Sequence, residues 1–204
     1  NKFKNNLALN EDLLLFLNTF GSLYAIDPKT LKILWFINLK QSADLNPSNL
    51  FTGNEVVIKD DKAVISSNQF TYVININTGL ILYKKNFSTL IKPIIIDKYI
   101  FLVTKNNFLI AMNLVDGNIL FSSDINQNIA NFLDIKKSNA LIENFYILNN
   151  KIYILLKNSY FLKFSEAGKI EEVEKLSSKI NSKPIFIDGS MLYLNNKNKL
   201  IVID

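Results

Sequence analysis

Apolar and polar positions alternate with a period of two in many short segments, as half-buried β-strands require. The clearest are "LYAID" at 23–27, "TYVIN" at 71–75, "LIAMN" at 109–113 and "LIVID" at 200–204, with "YFLKFS" at 160–165 a weaker member. All but the last end in aspartate or asparagine, whose side chain hydrogen-bonds the backbone two residues on and so opens a tight turn. A glycine follows in three of them: Gly79 in "NINTG", Gly117 in "NLVDG" and Gly168 in "SEAG". Glycine suits a turn that needs positive φ. Leu31 stands there in "DPKTL", which predicts a different turn or strain of about 1 kcal/mol. Four residues further on comes a ring in Trp35, Tyr83 and Phe121, but Glu172 in the fourth segment. A ring at a fixed offset after a hairpin is a packing anchor.

A second hairpin precedes each turn strand. "KPIIIDKYIFLVT" at 92–104 and "KPIFIDGSMLYLN" at 183–195 are nearly the same phrase, their prolines, Pro93 and Pro184, 91 positions apart. "NEVVIKDDKAVIS" at 54–66 and "NFYILNNKIYILL" at 144–156 repeat it without proline. Four antiparallel strands recurring every 40 to 50 residues or so are blades of a β-propeller. The fold class expected is all-β, one propeller segment over 1–204 with approximate repeats 1–40, 52–88, 91–126, 140–177 and 182–204. The stretches 41–52 and 126–139 read as insertions between units. "SEAGKIEEVEKLSSK" at 165–179 is the only helix-like stretch, and its aligned glycine assigns it to turn and outer strand. The first unit has at most a ragged first strand in "KFKNNLALN", and the last stops before an outer strand. Propellers run from about four to eight blades. The expectation is part of a longer protein closing with seven or eight, or self-association through open blade edges.

Composition removes whole classes of chemistry. The chain has 204 residues, 49% of them hydrophobic and 20% charged, as a globular protein has. It contains no cysteine, histidine or arginine, so all 23 basic residues are lysine. That excludes histidine-based nucleophile systems, imidazole and thiolate metal ligands, and guanidinium forks for phosphate or guanine. The net charge of +5 is spread over scattered lysines, so no nucleic-acid partner is expected. The longest apolar runs, such as "YIFLV" at 99–103, are far short of a membrane span, which takes about 20 residues.

The stretch "AIDPKTLKILW" at 25–35 resembles the tryptophan-docking motif of the pyrroloquinoline-quinone-like propeller repeat family, A-x-D-x-x-T-G-x-x-x-W. It matches at Ala25, Asp27, Thr30 and Trp35 and departs at Leu31. Asn75, Thr78, Gly79 and Tyr83 form a weaker copy, as do Ala111, Asn113, Gly117 and Phe121. The resemblance implies an architectural role for these residues, locking each blade to its neighbour. Among the relatives, the chain is most similar to the outer-membrane β-barrel assembly lipoprotein family of BamB type. That implies a non-catalytic periplasmic scaffold for protein partners of the barrel-assembly machinery, with a lipid anchor on a preceding segment.

The enzyme alternative is a quinone-dependent dehydrogenase, and a third reading is a ligand-sensing propeller. Asp60–Asp61 and Glu171–Glu172 are the acidic candidates for a calcium site, but they fall where a hairpin turn and an exposed outer strand are expected. Calcium needs six to eight convergent oxygens or so, and these read as solvated carboxylates. No catalytic, cofactor-binding or metal residue is assigned, no cofactor is expected, and the partner-binding residues are left unknown.

Overall fold

The computed structural model describes residues 6–40, 55–67, 69–187 and 190–203. The insertion expected at 41–52, most of "KFKNN", and the aspartates of "KPIFID" and "LIVID" lie outside them. The chain forms two compact units, Asn1–Asp124 and Ile125–Asp204.

The first unit holds three antiparallel sheets of four strands in simple sequence order. Blade 1 is β1 (Leu7–Leu9), β2 (Leu14–Leu17), β3 (Ser22–Ile26) and β4 (Ile33–Asn38). Blade 2 is β5 (Val57–Lys59), β6 (Lys62–Ser66), β7 (Thr71–Asn75) and β8 (Ile81–Lys85). Blade 3 is β9 (Ile94–Ile96), β10 (Tyr99–Val103), β11 (Phe108–Asn113) and β12 (Ile119–Asp124). The second unit opens with α1 (Ile125–Leu133), followed by blade 4: β13 (Ile142–Leu148), β14 (Lys151–Leu156), β15 (Tyr160–Ser165) and β16 (Ile170–Lys175). Blade 5 has three strands among the described residues, β17 (Ile185–Ile187), β18 (Ser190–Leu194) and β19 (Leu200–Ile203). The fold is an all-β propeller of four-stranded antiparallel blades, as the repeat predicts.

Pro93 and Pro184 sit immediately before β9 and β17, where no ladder hydrogen bond is asked of them. Two-residue loops join the first two strands of blades 2, 3 and 4. They open with Asp60, Asp97 and Asn149, at φ of 52°, 49° and 48°. Aspartate and asparagine tolerate that conformation better than other side chains.

The cores lie between stacked sheets. Leu15, Leu17, Leu23 and Ala25 of blade 1 pack with Ala63, Ile65, Tyr72 and Ile74 of blade 2. The opposite face of blade 2, with Val64 and Val73, packs on Ile100, Leu102, Ile110 and Met112 of blade 3. In the second unit Leu155 and Leu176 pack with Met191 and Tyr193.

Helix α1 departs from the sequence reading, which took its residues for an insertion without helix. At nine residues it is too short to stand alone in water. It buries Ile125 and Ala130 and lies against β16, so tertiary packing carries it. Beyond it, Ala140 N donates to Asn126 Oδ1 at 2.9 Å.

Candidate functional site

The turns between the third and fourth strands build the inter-blade contacts. Asp27 Oδ1 accepts from Lys29 N at 2.8 Å, Asn75 Oδ1 from Asn77 N at 3.0 Å and Asn113 Oδ1 from Val115 N at 2.8 Å. Thr30 Oγ1 adds a bond to Asp27 Oδ2 at 2.7 Å. That bond and the two backbone donors hold the Asp27 carboxyl below its ordinary range. Each turn closes by a backbone bond from the fifth residue to the first: Leu31 N to Asp27 O, Gly79 N to Asn75 O, Gly117 N to Asn113 O, at 2.8 to 2.9 Å. Leu31 has φ 57°, beside 76° and 72° for the two glycines, so blade 1 keeps the turn and bears the strain. The blade 4 turn is one residue shorter, with Gly168 N donating to Ser165 O.

Directly after each turn the register slips by one residue at the same place. Ala25 faces Trp35, Val73 faces Tyr83, Ala111 faces Phe121 and Lys163 faces Glu172, and the slip follows each pair. A bulge here re-aims the outer-strand side chain.

The indole of Trp35 crosses to blade 2, where Nε1 donates to Ile76 O at 2.8 Å. Its ring lies against Gly79, where a Cβ would stand 2.8 Å from Cε3. Tyr83 repeats the contact one blade on: its hydroxyl donates to Leu114 O at 2.9 Å, and a Cβ on Gly117 would meet the ring at 2.8 Å. Burial pushes the Tyr83 hydroxyl well up, with the Asp116 charge adding to it. Ring, glycine and the carbonyl after the turn's first residue therefore form one dock, used twice. Phe121 holds the same position without a donor.

Glu172 makes no dock and instead pairs with Lys163 at 3.6 Å. Between blades 4 and 5 the rings come from inner strands. Tyr153 stacks on Phe161 at 5.2 Å between centroids, and Tyr146 approaches Phe186 at 5.2 Å. No fixed spacing in the sequence marks these four residues, and the sequence reading missed them.

Three of the acidic candidates, Asp61, Glu171 and Glu172, are each paired locally with a lysine. Asp61 is in the β5–β6 turn, ion-paired to Lys62 and accepting from Asn75 Nδ2 at 3.1 Å, and the lysine lowers its pKa. Glu171 pairs with Lys151 at 2.6 Å on the outer strand. Among the described residues no group of three or more metal-ligating side chains gathers. No helix among them is long and apolar enough to cross a membrane.

Two sheet faces carry exposed apolar rows among the described residues. On blade 1 the register aligns Leu7, Phe16, Tyr24 and Phe36 in one row across all four strands, and Leu9, Leu14, Ile26 and Ile33 in the next. Phe16, Tyr24 and Phe36 stack at 6.2 and 6.0 Å, and Phe36 and Leu9 are 65% and 66% exposed. On blade 5 the far face aligns Ile185, Leu192 and Val202, with Leu194 opposite Leu200.

A model of the family described as outer membrane protein assembly factor BamB matches residues 4–123. The chain belongs to the BamB family. The BamB match spans blades 1 to 3, which carry both docks. Among solved structures the chain is similar to BamB from Moraxella catarrhalis, at 14% identity and a TM-score of 0.67, covering 96% of this chain and 55% of that one. It is also similar to the computationally designed Ika8 protein, at 12% identity and a TM-score of 0.68, covering 96% of this chain and 56% of that one. Both likenesses concern the fold, and this BamB-family chain spans just over half the length of either structure. No curated protein matches it in sequence.

Proposed function

We propose that the protein is a non-catalytic interaction scaffold that works in the periplasm, holding protein components of the outer-membrane barrel-assembly machinery. The observation that carries this reading is the match to the BamB family over the three blades that the two docks join. The chemistry of the frame favours it too. The motif residues are spent on turns and blade-to-blade packing, and Asp61 on its turn and Glu171 and Glu172 on their outer strand are each engaged by a lysine. What the frame offers a partner is surface. The outer strands and their turns expose Ile33 and Leu34, then Leu80, Ile81 and Leu82, then Ile119 and Leu120, at matching positions of three consecutive blades. Exposed apolar area of that extent marks protein contact.

Calorimetric titration with the purified periplasmic domains of a barrel-assembly pore protein tests the reading. Binding in the micromolar range or tighter is expected, weakened by Leu34→Lys, Leu82→Lys and Leu120→Lys while the thermal midpoint holds. No heat from a folded sample at high concentration sinks the barrel-assembly role.

A further inference from the structure

The bulge beside each outer-strand ring leaves one residue unpaired with the neighbouring strand. That residue is Leu34 in blade 1, Leu82 in blade 2 and Leu120 in blade 3, but Glu171 in blade 4. The three leucines are 56%, 39% and 55% exposed, whereas Glu171 is ion-paired to Lys151. The loops between the first two strands change at the same point. They carry Glu11 and Asp12 in blade 1, Asp60 and Asp61 in blade 2, and Asp97 beside Lys98 in blade 3, but Asn149 and Asn150 in blade 4. In a sheet of four antiparallel strands in sequence order, these loops and the outer-strand turns lie at the same end. An acidic loop and an exposed bulge leucine thus occur together in blades 1 to 3, and blade 4 has neither.

The two features meet in a cleft of about 380 Å³ between blades 1 and 2, whose lining includes the apolar Leu13, Leu34 and Ile76 and the acidic Asp12, Asp60 and Asp61. Leu13 and Ile76 belong to the core between the two blades. Asp61 is engaged by Lys62 and Asn75. Asp12 and Asp60 are exposed and meet Lys29 and Lys59 loosely, at 4.0 and 3.9 Å. Ion pairs that long and that exposed contribute little, so an incoming cation can replace them. We propose that this cleft seats a lysine or arginine side chain from an apolar segment of a protein partner, whose other residues rest on the bulge leucines Leu34 and Leu82. The inference rests on the scaffold reading above and names the chemistry of the partner. Lysine and arginine each carry an apolar stem and a charged head. The stem matches Leu13, Leu34 and Ile76, and the head reaches Asp12 and Asp60. The acidity of these loops runs against the net charge of +5 on the whole chain, so the complementarity is local to them. It disfavours an acidic peptide or an anionic lipid surface at this place.

Fluorescence anisotropy tests this with three labelled peptides of equal length, one of leucine and lysine, one of leucine and glutamate, and one of serine and lysine. The leucine-lysine peptide is expected to bind about tenfold more tightly than either of the others, and more weakly as salt rises. Asp12→Lys combined with Asp60→Asn is expected to reverse the order of the two leucine peptides. Asparagine tolerates the φ of 52° at position 60, so the fold is kept, as circular dichroism and the thermal midpoint check. Should that variant fail to fold, Asp12→Asn with Asp60→Asn serves, and is expected to abolish the preference for lysine over glutamate. Leu34→Ser and Leu82→Ser are each expected to weaken leucine-lysine binding at an unchanged midpoint. Equal binding of the leucine-glutamate peptide by the unmodified protein overturns the proposal, as does an unchanged order in the charge variants. So does self-association of the unmodified chain that Asp12→Lys abolishes, which would mean that the cleft takes a second copy. Pore-protein domains that bind the charge variants as tightly as the parent overturn this site and leave the scaffold role standing. Absence of pore-protein binding, with the peptides in the expected order, removes the barrel-assembly role and supports this site.

Discussion

The ring of Trp35 occupies the space that any side chain on Gly79 would need, with Cε3 2.8 Å from the position of a Cβ. Two independent costs therefore fall on Gly79→Ala, since φ is also 76°. Crowding costs about 1–3 kcal/mol, and the left-handed backbone adds about 1 kcal/mol. The variant is expected to lower the denaturant midpoint at constant slope. Combined with Trp35→Leu, it should lose less than the sum of the two single changes, because the removed ring no longer collides. Strict additivity in this cycle would mean the ring and the glycine do not meet.

Leu31→Gly is expected to act in the opposite direction. Leu31 holds φ 57° with an exposed side chain, so glycine relieves backbone strain and loses little packing. The gain is about 1 kcal/mol less the entropy glycine adds to the unfolded chain, a net rise of a few tenths. Thermal unfolding reads it. A fall in midpoint would show that Leu31 packs against something that holds it.

Tyr83 makes stability sensitive to alkali. Burial raises its hydroxyl above the ordinary tyrosine value, so the folded state holds that proton more tightly than the unfolded state. Its contribution is complete below the unfolded value of about 10 and is lost as pH rises beyond it. Tyr83→Phe is expected to flatten the decline above that pH, and near neutrality to cost about 1 kcal/mol for the bond to Leu114 O. Parallel alkaline limbs for the two proteins would refute this.

Asp27 supplies the acid counterpart. Its carboxyl is held below the ordinary range by Thr30 Oγ1 and by the Lys29 and Thr30 amides. The stabilising bonds are present above the unfolded carboxylate value and disappear as pH falls through the lowered folded value. Asp27→Asn keeps an acceptor for the amides and removes the titration. The variant should therefore lose less stability than the parent between neutral pH and the acid limb, as read by urea midpoints. An equal loss would place the acid sensitivity elsewhere.

The strands and turns were legible because both depend on local chemistry. Thr71–Asn75 and Tyr160–Ser165 are strands at the residues where alternation places them, and Asp27, Asn75 and Asn113 bond backbone two residues on as their type predicts. The ring positions were legible too, since a bulge at one register step aims Trp35 and Tyr83 alike. Which atoms receive the rings was not, because Ile76 O and Leu114 O carry no side-chain signature. Helix α1 escaped notice because its packing on β16 stabilises it, more than its own propensity does. The rings of Tyr146, Tyr153, Phe161 and Phe186 escaped because their contact is made in space, with no recurring interval.

Both docks end on a main-chain oxygen, Ile76 O or Leu114 O, and on a glycine without a side chain. A blade thus greets its neighbour with features that every polypeptide has, plus one residue it must leave small. A duplicated blade needs no matched pair of side chains to be accepted beside its parent, so an array of this kind can lengthen by copying, and its surface residues are left free to diverge toward different partners.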